Sequence, residues 1–249
     1  MTPTGKNYAL DNALIVIPAR GGSKRIPRKN IAKVGGHPII AYSINVGLEI
    51  CGKGNVFVST DDIEIAKVAR SYGAVVENLR PGSLAGDDSR DVDWLIYEVK
   101  QLDLVDAIVI ILRPTSPLRS SKTIGLALEK FIDSGADSLR AVQRVREHPG
   151  KMWKLKNGRL FPLLKQPLFG EKTFSRPTQS LDEIWVQNAS LEITRARRVL
   201  RERTLSGRDI LGFEMPNLEG FDLNDESDWV LLNSYIQSNP GVLPQIGKK

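Results

Sequence analysis

Short apolar runs alternate with longer amphipathic stretches through the first part of the chain. The apolar runs lie at residues 13–17, 55–59, 74–77 and 106–112, and their length and β-branched content predict buried strands. The stretches that follow them, at 38–50, 61–72, 90–102 and 122–134, have the spacing of helices. This alternation predicts an α/β protein with a mostly parallel sheet and helices on both of its faces.

Capping residues mark the ends of the predicted helices. Asp61, with Glu64 three residues later, suits the start of the second helix, and Gly73 suits its end. Gly135 has the corresponding position after the fourth helix. The run at 106–112 is apolar at every position after Asp106, which is typical of a central strand that is covered on both faces.

The pattern changes after residue 140, where prolines become frequent. Asn157-Gly158 separates two short segments with alternating apolar residues, and this predicts a β-hairpin. We expect one domain, residues 1–249, with residues 141–182 as an excursion that could cover a site or pair with another subunit. The remaining predicted elements are strands at 184–193, 212–215 and 220–223 and helices at 195–203 and 225–236, the last capped by Asp225.

Composition narrows the class of protein. The formal net charge is +6, but the cations are divided among separate loops and helix ends, which favours anionic small molecules over nucleic acid as partners. A single cysteine excludes an internal disulfide and fits a reducing cytoplasm. Residues 1–12 lack an apolar signal core, and no apolar run predicts a membrane span. Two histidines and one cysteine argue against zinc, whereas oxygen-ligated magnesium remains open.

The loop after the first predicted strand, residues 17–30 (IPARGGSKRIPRKN), is the most informative segment. Its two glycines let the backbone approach a ligand and offer N–H groups to an anion. A nucleoside triphosphate would neutralise its cations, whereas a solvated basic loop, the alternative interpretation, leaves their repulsion uncompensated. Neither GxxxxGK[ST] nor GxGxxG is present, which argues against P-loop NTPases and dinucleotide-binding dehydrogenases. The five cations are Arg20, Lys24, Arg25, Arg28 and Lys29.

Further polar segments follow other predicted strands. RPTSPLR, residues 113–119, lies at the carboxyl end of the central strand, where ligands of open α/β sheets bind; a rigid connector is the alternative. Its prolines leave Arg113, Thr115, Ser116 and Arg119 to project. LRPGSLAGDDS, residues 79–89, could receive a base or form an ordinary loop. In FDLNDESDW, residues 221–229, strand alternation would put Asp222 and Asn224 on one face for magnesium, although helix capping is equally simple.

Taken together, these segments resemble the acylneuraminate cytidylyltransferases, the CMP-sialic acid synthetases and their relatives. The resemblance runs from about residue 13 to residue 236 and rests chiefly on the basic loop and RPTSPLR. It implies a Rossmann-like nucleotidyltransferase fold and a homodimer in which the excursion at 141–182 covers the partner's site. It also implies transfer of CMP from CTP to the anomeric hydroxyl of a 2-keto sugar acid, with Mg²⁺ as cofactor and pyrophosphate as the second product.

The resemblance assigns roles to individual residues. The catalytic candidates are Lys24, Lys29 and Arg20. The candidates for nucleotide binding are Arg20, Gly21, Gly22, Ser23, Lys24, Asn30, Arg80, Ala85 and Asp87. The candidates for binding the sugar acid are Arg113, Lys151, Arg176, Gln187 and Asn188. The candidates for holding magnesium are Asp222 and Asn224.

Three positions depart from the family pattern. Arg113 stands where glutamine is frequent, so an extra cation could face the sugar; Ala189 replaces a glycine; and Asn224 replaces a second aspartate at the metal. These departures bear on the identity of the sugar more than on the reaction. Two other functions stay open, namely a related transferase that uses another nucleotide or sugar (3-deoxy-octulosonate, or GTP with a hexosamine phosphate) and a non-enzymatic nucleotide- or RNA-binding module.

Overall fold

The computed structural model describes residues 12–167 and 170–247, and the chain divides into two compact units. The second unit is Val142–Gln187, and the first contains the rest of the described chain. The bounds of this second unit overlap the excursion predicted at 141–182, whose role as a dimer contact stays a prediction. The N-terminal segment on which the expectation of no signal sequence rests lies outside the described residues up to position 11. In the part of the chain that the structure describes, no helix is long and apolar enough to cross a bilayer.

Strands and α-helices alternate along the first unit, as the apolar pattern predicts. The strands of the described chain are β1 (Ala13–Pro18), β2 (Lys33–Val34), β3 (His37–Pro38), β4 (Val56–Ser59), β5 (Ile108–Ile111), β6 (Ser138–Arg144), β7 (Trp153–Lys156), β8 (Arg159–Pro162), β9 (Trp185–Arg195) and β10 (Ile210–Glu214). The α-helices are α1 (Ile39–Cys51), α2 (Ile63–Ser71), α3 (Asp91–Gln101), α4 (Ser121–Ser134), α5 (Ala196–Glu202) and α6 (Glu226–Ser238).

The main sheet has six strands in the order β10-β6-β9-β5-β1-β4. β1 lies between β4 and β5 and pairs in parallel with both of them, whereas β9 runs antiparallel to β5. The carboxyl ends of β1 and β5 therefore lie side by side. The predicted α/β class with a mostly parallel central sheet is confirmed.

Helices cover both faces of this sheet because side chains alternate along each strand. Ile15 and Ile17 of β1 belong to a buried cluster that includes residues of α1, α2 and α4. Leu14 and Val16, from the same strand, belong to a separate buried cluster with residues of α3 and α5. Two apolar layers thus hold β1 and β5 rigidly, and the loops that follow these strands start from fixed points.

Three local predictions were wrong. Residues 74–77 do not form a strand, because Val75 makes only an isolated parallel bridge to Phe57. Residues 220–223 form no strand either; they lie in a loop that Leu223 N–H anchors to the Thr115 carbonyl. Helix α2 is capped by Asp62 rather than Asp61, since Asp62 accepts the first free N–H groups of the helix.

The second unit contains the predicted hairpin. β7 and β8 pair antiparallel, with Leu155 opposite Leu160. The turn residues Asn157 and Gly158 have φ values of 50° and 73°. Two consecutive positive φ angles define the tight turn that an Asn-Gly pair favours, because both residues tolerate the left-handed region.

Candidate active site

A cavity of about 530 Å³ opens in the first unit where β1 and β5 end. Ligands of open α/β sheets bind outside this edge, and three segments that are distant in sequence meet there. They are the basic loop after β1, the segment between α2 and α3, and the start of RPTSPLR after β5. The predicted site residues that line the cavity are Arg20, Ser23, Lys24, Lys29, Asn30, Arg80, Ala85, Asp87, Arg113 and Asn224.

The basic loop is fixed at its start by Gly21. The Gly21 N–H donates to Asp61 Oδ1 at 2.9 Å, and a Cβ on Gly21 would lie 2.8 Å from Asp62 Oδ2. Only glycine allows this close approach, whereas a Cβ on Gly22 would meet nothing within 4 Å. The sequence suggested that the backbone N–H groups of this loop would bind an anion. Those of Gly21 and Ser23 instead donate to Asp61 Oδ1 and to the Gly21 carbonyl within the protein.

Arg20 and Lys24, the predicted phosphate ligands, share one counter-ion. Arg20 lies 3.1 Å from the Asp87 carboxylate and donates to the Gly86 carbonyl at 2.9 Å, and the Lys24 ammonium contacts the other Asp87 oxygen. The hydrogen bond from Lys24, more than the charge of Arg20, holds the pKa of Asp87 below its ordinary value. The three side chains are accessible to solvent, so a stronger anion can compete for the two cations.

Lys29 and Asn30 close the far end of the loop. Lys29 Nζ donates to the Leu223 carbonyl at 2.8 Å. Burial lowers the pKa of Lys29, and the Asp222 carboxylate acts in the opposite direction. Asn30 is buried, and its amide donates to the Arg20 carbonyl at 2.9 Å. Asn30 therefore holds the loop that presents Arg20, in addition to lining the cavity.

Arg80 provides a buried cation at the cavity wall. Its backbone N–H donates to the Thr60 carbonyl at 2.7 Å, which fixes the residue directly beyond β4. The side chain is only 4% exposed, and burial lowers its pKa against the attraction of Asp61 and Glu98. Glu98, in α3, is also buried, and burial raises its pKa. Arg80 thus lines the cavity from a poorly solvated position, where an anion or a polar base edge gains most from a cation.

Arg119 is buried completely and does not project into the cavity as the sequence suggested. Its two terminal nitrogens donate to the carbonyls of Ser190 and Arg113 and to Ser43 Oγ, the last two at 2.6 Å. Burial lowers the pKa of Arg119 to about 9, so the side chain remains a cation at neutral pH. Arg119 joins RPTSPLR to α1 and β9 and so fixes the turn that carries Arg113. Ser116 is buried as well.

Arg113 lines the cavity, but its guanidinium is already paired with carboxylates of the protein. Its Nη2 donates to Asp91 Oδ2 at 2.8 Å and to Glu192 Oε1 at 2.7 Å. Burial, the largest single influence, raises the pKa of Asp91, but the Arg113 guanidinium, the Trp94 indole N–H and the charge of Arg140 together hold this pKa below its ordinary value. Sequence reasoning missed both carboxylates. The available signals were an acidic residue at the start of a helix and one charged residue, Glu192, within the apolar run of β9.

The other sugar candidates are divided between the two units. Asn188 belongs to the first unit, where its Oδ1 accepts hydrogen bonds from Ser190 N–H at 3.1 Å and Ser190 Oγ at 2.6 Å. Lys151, Arg176 and Gln187 belong to the second unit. Within that unit, Lys151 Nζ donates to the carbonyls of Phe174 and Arg176. Lys151 and Arg176 therefore lie together, as part of one local network.

The predicted magnesium residues do not share a strand face, because no strand forms there. The Asn224 amide donates to the Asp222 carbonyl at 3.2 Å, and the Asn224 N–H donates to Asp228 Oδ2 at 2.8 Å. Asp222 Oδ1 is buried without a hydrogen-bond partner among the described residues. An orphaned carboxylate oxygen suits a hard cation, and Mg²⁺ commonly takes one or two carboxylates with substrate phosphates. Since no cluster of three metal-binding side chains occurs in the described chain, a metal here would need those phosphates.

Comparison with known proteins identifies the fold and the family. The model of the family described as cytidylyltransferase matches residues 14–157, more than half of the chain. The chain belongs to the cytidylyltransferase family. This cytidylyltransferase is therefore a nucleotidyltransferase, and the resemblance drawn from the basic loop and RPTSPLR is confirmed.

Two relatives and one solved structure illustrate the likeness. The cytidylyltransferase is 31% identical over 234 residues to CMP-N,N'-diacetyllegionaminic acid synthase of Legionella pneumophila, covering 92% of this chain and 98% of the relative. It is 26% identical over 220 residues to N-acylneuraminate cytidylyltransferase of Streptococcus agalactiae, covering 87% of this chain and 51% of the relative. The fold resembles that of CMP:2-keto-3-deoxy-manno-octonic acid synthetase complexed with CTP, with a TM-score of 0.64 and 18% sequence identity. The match covers 91% of this chain and 98% of that structure.

Proposed function

We propose that this cytidylyltransferase transfers CMP from CTP to the anomeric hydroxyl of a sialic-acid-like 2-keto sugar acid and releases pyrophosphate. The observation that carries the proposal is the meeting of the basic loop and RPTSPLR at one cavity beyond β1 and β5. The relatives' names support a nine-carbon acid such as legionaminic or neuraminic acid, and the similar structure holds CTP in the same fold. Membership of a nucleotidyltransferase family argues against the non-enzymatic alternative.

The triphosphate binds the basic loop in this proposal. CTP and the sugar acid are both anions, and two unit charges 4 Å apart repel by about 1 kcal/mol in water and by several times more at lower effective dielectric. Arg20 and Lys24 exchange Asp87 for phosphate oxygens, and Ser23 and the glycine backbone lie beside them. Phosphoryl transfer requires little covalent chemistry from the protein, so positioning and neutralisation of charge supply most of the acceleration.

Lys24 and Lys29 stabilise the charge that develops as the anomeric hydroxyl attacks the α-phosphorus and pyrophosphate leaves, together with Arg20. The support for Lys29 is its position, since it is tied to Leu223 next to Asp222 and is partly desolvated. A cation in such an environment interacts more strongly with phosphate than a solvated one. Arg80, Asn30 and the backbone near Ala85 hold the nucleoside.

Asp222 is the residue that would hold magnesium, with Asn224 as a neutral second donor. Its orphaned, buried Oδ1 supports this role. Bound there with the phosphates, Mg²⁺ would withdraw charge from the transferring group. Replacing the second aspartate by Asn224 removes one negative charge, so we expect the metal to depend on the nucleotide for affinity.

The second unit supplies dimer contacts and sugar ligands in this proposal. Leu155 and Leu160 lie opposite each other on the hairpin and are 72% and 58% exposed, and Phe161 is 49% exposed. Several exposed large apolar side chains on one small element are typical of a surface that another protein covers. We propose a homodimer formed through the hairpin. Lys151, Arg176 and Gln187 then serve the sugar acid, with Asn188.

Pyrophosphate release measures the proposed reaction directly. Each of the four nucleoside triphosphates is incubated with the protein, Mg²⁺ and a panel of 2-keto acids that contains nonulosonic acids and 3-deoxy-octulosonate. We expect release with CTP and at least one nonulosonic acid, and loss of release in the folded Asp222→Ala variant. Release with GTP and a hexosamine phosphate, and with none of the 2-keto acids, would support the related transferase instead.

A further inference from the structure

Four charged side chains form a continuous cluster beside the cavity, and we call them the Arg113 cluster. Asp91, at the start of α3, accepts from Arg113 at 2.8 Å; Glu192, in β9, accepts from Arg113 at 2.7 Å and also contacts Arg140. Side-chain exposure falls along the cluster, from 45% at Asp91 and 21% at Arg113 to 12% at Arg140 and 5% at Glu192. Asp91 and Arg113 line the cavity.

The Arg113 cluster is electrically neutral, with two guanidinium groups and two carboxylates. Glu192 is only 4% exposed, so a missing partner would leave a buried charge without compensation. The short bonds of Arg113 are directed at the protein. Its Nε is buried and has no hydrogen-bond partner among the described residues, and its Nη1 reaches Asp91 Oδ1 only at 3.5 Å.

We infer that Arg113 is a positioning residue, which neutralises Asp91 at the cavity wall together with the buried Glu192 that also pairs with it, and does not itself bind the carboxylate of the sugar acid. The inference rests on the proposed function for the identity of the substrates. Without Arg113, the two carboxylates share only Arg140, and the wall of a cavity that must admit two anions becomes negative. Substrate binding then weakens through repulsion, and removing the charge of Glu192 restores it.

The test compares the full-length R113Q, R113Q/E192Q and R113K variants with the wild-type protein. KM and kcat are measured for CTP and for the sugar acid that the wild type turns over fastest, and urea unfolding reports folding. We expect R113Q to raise KM by about tenfold, since one uncompensated charge near the cavity acts on both anions. R113Q/E192Q returns KM to within about threefold of the wild-type value because the pair that remains is again neutral.

A direct ligand would behave differently. If Arg113 holds the sugar carboxylate, R113Q/E192Q stays as impaired as R113Q for the sugar acid, and the inference fails. If R113Q does not fold, R113K provides the test, because lysine keeps the positive charge but not the geometry of the guanidinium. We expect the KM of R113K to lie within about threefold of the wild-type value, and a KM raised about tenfold or more would contradict the inference.

Failure of the proposed function gives a different result from failure of this inference. If the wild type turns over no sugar acid, the proposed function is wrong. CTP binding by calorimetry then still tests the Arg113 cluster, because the same order of affinities is expected: wild type and R113Q/E192Q similar, R113Q weaker. An R113Q affinity for CTP equal to that of the wild type would overturn the cluster's role.

Discussion

At the scale of single residues, Arg119 supports the site from inside the fold. It is fully buried and donates to two carbonyls and a hydroxyl that lie on three different segments. Removing it takes a short hydrogen bond from each of these acceptors, and the Arg113 carbonyl keeps only the longer ones from Ser43 Oγ at 3.3 Å and Ser116 N–H at 3.4 Å. A buried acceptor that loses its donor costs more than the hydrogen bond contributes. The segment that carries Arg113 therefore depends on a buried residue that does not line the cavity.

We predict that R119M lowers the free energy of unfolding by about 3 kcal/mol, because three buried short hydrogen bonds are lost at once. Urea unfolding followed by circular dichroism measures the change. R197M is the matched control, since Arg197 is 70% exposed and pairs with Asp106 at the surface, and we expect a change below about 0.5 kcal/mol. Equal effects of the two substitutions would contradict this account of Arg119.

Asp87 pairs with both Arg20 and Lys24, and in the proposed function it competes with the nucleotide for them. D87N removes the carboxylate that both cations contact, so we expect CTP to bind about threefold more tightly at low salt, with the gain shrinking as salt screens the loop. D88N is the matched control, because it removes the same charge one position along without breaking either ion pair. Calorimetric titration with CTP measures the Kd of both variants. Weaker CTP binding by D87N, or an equal gain in affinity in D88N, would show that Asp87 does not compete with the nucleotide.

At the scale of elements, the two glycines of the basic loop have different tasks. A Cβ at position 21 would overlap Asp62, whose side chain caps α2, whereas a Cβ at position 22 would enter open space. We predict that G21A displaces the loop and raises the Kd for CTP by about tenfold, and that G22A stays within about twofold of the wild type. An equal change in the Kd for CTP in both variants would contradict the different tasks of the two glycines.

The start of α3 gives a pH dependence with a defined sign. The pKa of Asp91 is depressed in the folded protein, so the Asp91 carboxylate contributes stability above its unfolded pKa of about 3.9, and this contribution disappears as pH falls through the lower folded value. We expect D91N to be less stable than the wild type by about 1 kcal/mol at pH 7, a difference that shrinks below about pH 4. Urea unfolding between pH 7 and pH 3 checks this, and a difference that does not change with pH would contradict it.

The sequence predicts elements better than the contacts between them. Alternating apolar runs predict the sheet and its flanking helices because burial on one or two faces imposes a period on the chain itself. Residues 74–77 mislead because their apolar composition says nothing about whether a partner strand continues beside them. The choice of Asp62 over Asp61 as cap depends on Gly21, which lies 40 residues from Asp61 in sequence.

The site shows the same limit. The basic loop and RPTSPLR both end at one edge because they follow neighbouring parallel strands, and this follows from topology. The pairing of Arg113 with Asp91 and Glu192 cannot be predicted from topology in this way. These carboxylates lie 22 and 79 residues away in sequence, and only the folded sheet brings them to Arg113. An arginine that the sequence presents as an extra cation for the sugar therefore becomes part of a neutral cluster.

At the scale of the whole molecule, the exposed hairpin predicts an oligomer. We expect the wild-type protein to be a dimer in light scattering, and L155E/L160E to be a monomer with unchanged secondary structure, because both side chains are largely exposed within the chain. L126E, on α4 of the first unit, is the matched control and should leave the dimer intact. A monomeric wild type would contradict the proposed interface.

The most direct test of the central claim identifies the product. The wild-type protein is incubated with CTP, Mg²⁺ and a panel of 2-keto sugar acids, and mass spectrometry and a pyrophosphate assay follow the reaction. We expect a CMP-linked nonulosonic acid and pyrophosphate in equal amounts, with no product when ATP, GTP or UTP replaces CTP. Absence of a CMP-linked product from every nonulosonic acid and from 3-deoxy-octulosonate would contradict it.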